Sequence, residues 1–394
     1  MKFNKFNIFH ICIYIYGWFL FNFIFMYRKF SSKKVETRII LYGHKLYGNL
    51  KSLYEELDEK GTEFYFLTLD YKVYKKLKNN SLNVLYGLRV KDMMKVVFSK
   101  IIVSDHGLHF MRKLINEQDN YFFDTNHGLP LQKWNEKVVE QFYKYEEVWL
   151  FSSFHKKVYL EDFGYKENNL VITGYGRLDY INKFNSSENK LRQINTLKQK
   201  YGLDNANKII LYAPTWIHSK QKVNNEFMRP DNIKFIEKLN QIGKTNNLSF
   251  LFRPHLNTIL NNKFIKVLES LDNVYYFPFR KYEEVENFLI MADMLITDWS
   301  SVALDFLLLD RPTLFLDVPS SFKLGIFKED ILRFGKISNL DSLEVDINRY
   351  INNFDNYFKE CPQHSKTKKT IYDTFSELAA KQYFKRLKKY INLA

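Results

Sequence analysis

The residues best suited to chemistry stand in a few short polar clusters. Asp298, Trp299, Ser300 and Ser301 follow the apolar run Met294-Leu295-Ile296 and precede Val302–Leu309, an apolar stretch at helical spacing. Two hydroxyls therefore stand where a strand hands over to a helix. Backbone N–H groups at a helix start lack partners and carry positive partial charge, so a phosphate fits there. The plainer role for either serine is to cap the helix. His127 lies in Asn126-His127-Gly128-Leu129-Pro130, where Gly128 and Pro130 force a turn. A histidine on a tight loop after a strand suits general-base work, because its pKa is naturally about 6.5. His106, in Ser104-Asp105-His106-Gly107, has a similar setting and is the internal competitor. Arg253-Pro254-His255 puts an arginine and a histidine one residue apart, a compact cationic claw for a diphosphate. The alternative for Arg253 is a surface ion pair. Arg311 either reaches a ligand or pairs with its neighbour Asp310.

Elements must hold these clusters in place, and the chain alternates accordingly. Arg38–Tyr42, Phe64–Leu69, Lys100–Ser104, Tyr121–Thr125, Glu146–Phe151 and Leu170–Thr173 read as strands. Helical patterns at Leu50–Lys60, Tyr71–Lys78 and Ser153–Phe163 separate some of them. The polar stretch Asn182–Lys200 reads as a linker plus a helix. A second series follows at Lys208–Tyr212, Leu248–Phe252, Val274–Phe277, Met294–Thr297 and Thr313–Leu316. Such alternation means parallel sheets covered on both faces, and ligands bind at the carboxyl ends of such strands. His127, Arg177, Thr215, Arg253, His255, Asp298, Ser300 and Ser301 all fall at those ends. The expected fold class is α/β, with two doubly wound Rossmann-like domains facing a cleft. The expected divisions are an apolar segment 1–30, domains 36–182 and 183–350, and a helical segment 351–394.

Composition narrows the partners. The 394 residues carry a net charge of +15, spread along the chain, and 46% are hydrophobic, enough for full cores. This balance favours a polyanionic partner or an anionic membrane surface. No zinc-finger, RNP-type or basic-zipper pattern points to nucleic acid. The only cysteines, Cys12 and Cys361, can build neither a disulfide framework nor a thiolate metal site, and fit a reducing, cytoplasmic setting.

The stretch Phe6–Tyr27 has no charged residue, and Lys2 and Lys5 precede it. Arg28, Lys29, Lys33 and Lys34 follow it, which places the main body on the cytoplasmic side. It is long enough to span a bilayer, which takes about 20 residues, but Asn7, His10, Gly17 and Asn22 make it a marginal span. The segment is expected to associate with the membrane, as a span or an interfacial helix. The competing reading is a buried first helix.

Five ordered blocks carry a family resemblance. Asn126–Lys133 looks like a His-Gly-Thr-Pro-Leu-Lys block, and Thr173–Asp179 is similar to a Gly-Tyr-Pro-Arg-Asn-Asp turn. Ile210–Trp216 matches Leu-Tyr-Ala-Pro-Thr-Trp, Arg253–His255 matches Arg-Pro-His, and Leu295–Pro312 is similar to a signature running from Ile-Thr-Asp-Tyr-Ser-Ser to Asp-Arg-Pro. Together they resemble the CDP-glycerol glycerophosphotransferases of teichoic acid and capsular polymer synthesis. The resemblance implies a GT-B architecture, a transferase with neither metal nor cofactor, and a CDP-activated polyol phosphate as donor. It implies a lipid-linked or polymeric acceptor. His127 would deprotonate the acceptor hydroxyl, His255 with Arg253 would hold the diphosphate, and Thr215, Ser300 and Ser301 would complete the phosphate cradle. Asp298 and Arg311 fall inside the same donor motif, and Gly128 and Arg177 inside the acceptor-side blocks. Leu129, Gly176, Leu178 and Trp299 depart from the family's Thr, Pro, Asn and Tyr, and its Tyr- and Arg-Gly-rich stretch is missing from Val318–Gly335. Two other classes compete: a GT-B sugar transferase using a nucleotide sugar, and a non-catalytic membrane scaffold.

Overall fold

The computed structural model describes residues 8–117, 119–126, 128–131, 144–215, 232–255, 258, 260–320, 326–373 and 377–391. The chain forms two units. One comprises Met1–Gly128, Trp134–Asp179 and Asp373–Ala394; the other comprises Leu129–Lys133 and Tyr180–Tyr372.

The first unit is built on seven parallel strands: β1 (Glu36–Tyr42), β2 (Phe64–Thr68), β3 (Val84–Tyr86), β4 (Ser99–Ser104), β5 (Tyr121–Asp124), β6 (Glu147–Leu150) and β7 (Leu170–Ile172). Their order is β3-β2-β1-β4-β5-β6-β7. The second has six: β8 (Lys208–Tyr212), β9 (Leu248–Phe252), β10 (Val274–Tyr276), β11 (Met294–Thr297), β12 (Thr313–Leu316) and β13 (Lys336–Ser338), in the order β10-β9-β8-β11-β12-β13. Runs such as Ile39-Ile40-Leu41 and Ile209-Ile210-Leu211 are wholly buried, as parallel strands covered on both faces require. The strand order reverses between β1 and β4, and again between β8 and β11. In open α/β sheets, ligand crevices form at the carboxyl ends beside such reversals.

The segment 351–394 does not stay together. The Phe354–Glu360 and Gln363–Ile371 helices belong to the second unit, whereas the Ala379–Ile391 helix returns to the first. There Tyr383 stacks on Trp149, with ring centroids 4.6 Å apart and planes 10° apart. Arg386 Nε meets both carboxylate oxygens of buried Glu147, at 3.0 and 2.9 Å. Asp179 accepts from the N–H groups of Ala379 and Ala380, at 2.8 and 2.9 Å, which caps the helix.

The Ile8–Phe30 helix is attached along one stripe. Leu20, Phe21, Ile24, Phe25 and Arg28 recur at helical spacing and are buried in the first unit. Gly17 permits the close approach, because a Cβ there would stand 2.9 Å from a Leu88 methyl. Arg28 Nη1 donates to Val97 O and Asn120 Oδ1, at 2.9 and 2.7 Å. Trp18, Phe19, Phe23, Met26, Tyr27 and Phe30 are exposed, Phe23 by 72%. The helix is therefore neither a separate segment nor a fully buried core element.

Candidate active site

Two loops meet at the reversal in the second sheet. Asp298, just past β11, is buried, and its Oδ1 accepts from Thr215 N (2.8 Å), Thr215 Oγ1 (2.5 Å) and Trp299 N (2.6 Å). Burial pushes this carboxyl above its ordinary range, and the three donors oppose the shift. Thr297 Oγ1 donates to Ala213 O at 2.7 Å, so the ends of β8 and β11 are laced twice. Asp298 and Thr215 are thus brought together, but as each other's partners. Both Thr215 donors are spent on the carboxylate, and a carboxylate would repel a phosphate. The pair shapes the carboxyl edge of the sheet, with the Thr215 donors turned to Asp298.

Ser300 and Ser301 follow directly. The Val302–Phe306 helix begins after Ser301, whose hydroxyl makes no capping bond. Ser300 Oγ accepts a long bond from Val302 N at 3.4 Å. The capping role fails for Ser301, and its half-buried hydroxyl stands at the carboxyl edge of β11 with capacity for an anion.

The claw at Arg253 is open. Arg253 is buried, its Nη1 and Nη2 lie 3.4 Å from Phe277 O and Glu283 O, and the guanidinium stacks 4.8 Å from the Phe288 ring centroid. Burial lowers its pKa to about 10. It sits behind the strand end, while His255 is exposed at the edge. The surface ion pair weighed for Arg253 is not what the buried side chain makes.

Arg311 is a plain correction. Its Nη1 donates to Ile290 O and Ala292 O, at 2.7 and 2.6 Å, and both carbonyls precede β11. The residue also precedes β12, so it marks the amino edge of the sheet. A four-residue strand rises about 3.3 Å per residue, roughly 13 Å in all, which separates Arg311 from the carboxyl edge where Ser300 and Ser301 stand. Asp310 pairs instead with Lys368, at 2.6 Å. Sequence adjacency to a motif was the misleading signal.

On the first sheet, His127 lies outside the described residues, but its supports are visible. Asn49 Nδ2 donates to Thr125 O (3.0 Å) and Asn126 O (2.9 Å), and Asn49 Oδ1 accepts from Arg177 N (3.0 Å). One buried amide thus ties the backbone before His127 to the helix carrying Arg177. A Cβ on Gly128 would stand 3.9 Å from Arg177 Nη2, so the two expected acceptor-side residues are neighbours. Nothing in the sequence singled out Asn49, because an asparagine early in a helix reads as routine. Asn49→Ala should lower turnover about tenfold by loosening that geometry, with donor KM unchanged; steady-state kinetics check it.

Comparisons with known proteins bear on this arrangement. The pattern of the CDP-Glycerol:Poly(glycerophosphate) glycerophosphotransferase family matches residues 21–318. The chain belongs to that family. It is a transferase. The Bacillus spizizenii teichoic acid poly(glycerol phosphate) polymerase is 25% identical over 68% of this chain and 69% of its own length. The Staphylococcus aureus teichoic acid glycerol-phosphate transferase is 26% identical over 49% of this chain and 51% of its own. The chain spans only 26% of the Bacillus subtilis poly(glycerol phosphate) polymerase. Among solved structures, the wall teichoic acid polymerase TagF superposes with a TM-score of 0.73 at 16% identity, covering 96% of this chain and 94% of that one. The two parallel-sheet units are of the GT-B kind.

Against this family, the departures have local reasons. Gly176 stands where the family carries proline; its N–H donates to Tyr383 OH at 3.0 Å, and a Cβ would meet Ser52 at 2.7 Å. Trp299 replaces tyrosine and donates from Nε1 to Val318 O at 2.9 Å, with the Arg333 guanidinium 4.7 Å from its ring centroid. Leu129 and Leu178 are buried.

Proposed function

We propose that this transferase moves glycerol phosphate, or a related polyol phosphate, from a CDP-activated donor to a hydroxyl of a teichoic-acid-like acceptor, polymeric or lipid-linked. The acceptor oxygen attacks the β-phosphorus, CMP leaves, and a phosphodiester forms. His127 takes the hydroxyl proton, and Ser300, Ser301 and His255 receive the diphosphate. Positioning and charge stabilisation supply the rate, as in phosphoryl transfer generally. The family match across both sheets carries this reading, and the +15 charge suits an acceptor that gains a negative phosphate with every unit. A donor screen reads CMP release. CMP from CDP-glycerol or a CDP-polyol supports the reading; UMP or UDP from a nucleotide sugar, with no CMP from any CDP-polyol, overturns it.

The same reading puts the enzyme on the cytoplasmic membrane face through an interfacial helix. A helix with Phe21, Ile24 and Phe25 sealed into the first unit presents only its other side, and Phe19, Phe23 and Phe30 lie there beside Lys29, Lys33 and Lys34. Each basic residue near an anionic surface adds about 1 kcal/mol. Deleting residues 1–30 would also strip buried contacts, so surface substitution is the cleaner test. Phe19→Ser/Phe23→Ser/Phe30→Ser should leave the melting temperature unchanged and abolish cosedimentation with anionic vesicles. Retained cosedimentation would refute the interfacial anchor.

A further inference from the structure

A second polar constellation lies at the reversal in the first sheet. Just past β4, His106 Nδ1 stands 2.7 Å from Asp105 Oδ1. The Asp105 side chain is 6% exposed and that of His106 26%. The His44 ring, just past β1, is 5.3 Å away. Gly43 makes room for the carboxylate: a Cβ there would stand 3.1 Å from Asp105 Oδ1 and 2.6 Å from Leu50 Cδ1. Ser104 pairs in register with Asp124, so this turn neighbours the Thr125–Asn126 turn that leads to His127. The negative charge of Asp105 at 2.7 Å from Nδ1 favours the tautomer with its proton on Nδ1, in which Nε2 is the acceptor. An aspartate this close cancels much of any imidazolium charge, so the dyad suits a neutral hydroxyl better than a phosphate.

We propose that Asp105 and His106, beside His44, form a polyol subsite of the acceptor unit, in which His106 Nε2 accepts a hydrogen bond from an acceptor hydroxyl adjacent to the one that attacks. This rests on the transfer reading above and makes His106 a specificity residue rather than the base. The charged and titratable groups around the imidazole are Asp105, Asp124, His44, Tyr42 and Tyr145, with Arg112 acting on Tyr145. Burial lowers the His106 pKa, but Asp105, by hydrogen bond and charge, and Asp124 raise it overall. As pH falls through that raised value, Nε2 takes up a proton and stops accepting, so acceptor affinity should fall on the acid side.

The test uses the full-length enzyme and a synthetic tri(glycerol phosphate), compared with an analogue whose terminal unit lacks the neighbouring hydroxyl. His106→Ala should raise acceptor KM at least tenfold, leave kcat within about threefold and leave donor KM unchanged. It should not alter affinity for the deoxy analogue. Asp105→Asn should move the acid-side loss of acceptor affinity to lower pH. Calorimetric binding of the trimer without donor supplies a readout independent of catalysis. If CMP is never released yet His106→Ala weakens trimer binding, the transfer reading falls and the subsite stands. Equal effects on both acceptors, or unchanged binding of either, would overturn the subsite; His106→Asn serves if the alanine variant does not fold.

Discussion

His127→Ala should lower turnover by roughly 10²–10⁴-fold, the usual contribution of a positioned general base, while donor KM stays close to the parent value. The expectation follows from the Thr125–Asn126 backbone that directly precedes His127 in sequence, which leaves β5 at its carboxyl end and is held by Asn49. His106→Ala should keep kcat, since the hydroxyl it is proposed to hold is the neighbour of the one that attacks. Single-turnover kinetics at saturating donor and acceptor distinguish the two histidines. If His127→Ala turns over normally and His106→Ala does not, the base is His106.

Asp298→Ala should be the most damaging change in the second unit. One buried carboxylate oxygen serves Thr215 N, Thr215 Oγ1 and Trp299 N. Removing it leaves the buried Trp299 N–H and two half-buried Thr215 donors without their acceptor, the buried one costing about 1–3 kcal/mol and the others less. The β8 and β11 loops should then separate, raising donor KM by at least ~100-fold, which corresponds to about 2.7 kcal/mol. Asp298→Asn keeps one oxygen at Oδ1 and should lose much less. Thermal unfolding together with donor titration checks both variants. Equal, mild effects of the two would mean that the carboxylate does not organise the edge.

The strands and their parallel sense were legible because buried strands of this class are short continuous apolar runs, and Ile209–Tyr212 or Met294–Thr297 leave little choice. The short edge strands Val84–Tyr86 and Lys336–Ser338 were missed, although Leu170–Ile172 and Val274–Tyr276, of the same length and also at sheet edges, were read. The position of Ser300 and Ser301 just past the carboxyl end of β11 was legible, because strand-end position follows from the strands themselves. Side-chain direction was not legible. Arg253 turns inward to carbonyls and aromatic rings, and Arg311 sits at the opposite end of its strand. Both looked like ligands because the motif places them near the strand-end polar residues. Asn49, Asp179 and Arg386 act across more than a hundred residues of chain, a range on which local pattern is silent.

The returning Ala379–Ile391 helix ties the enzyme's first unit to the order of its own synthesis. The surface formed by Trp149 and the Gly48–Glu59 helix is translated early, yet the side chains that cover it, Tyr383 and Leu387, come after the whole of residues 180–372. At ~5–20 residues per second, that wait is roughly 10–40 s. Throughout it the nascent first unit carries an open apolar face while the second unit, which has its own core, can fold beside it. A nascent chain in that interval is a natural client for a ribosome-associated chaperone. A premature stop anywhere before Tyr383 should therefore yield protein cleared soon after release, even when every residue of the donor and acceptor edges has been made.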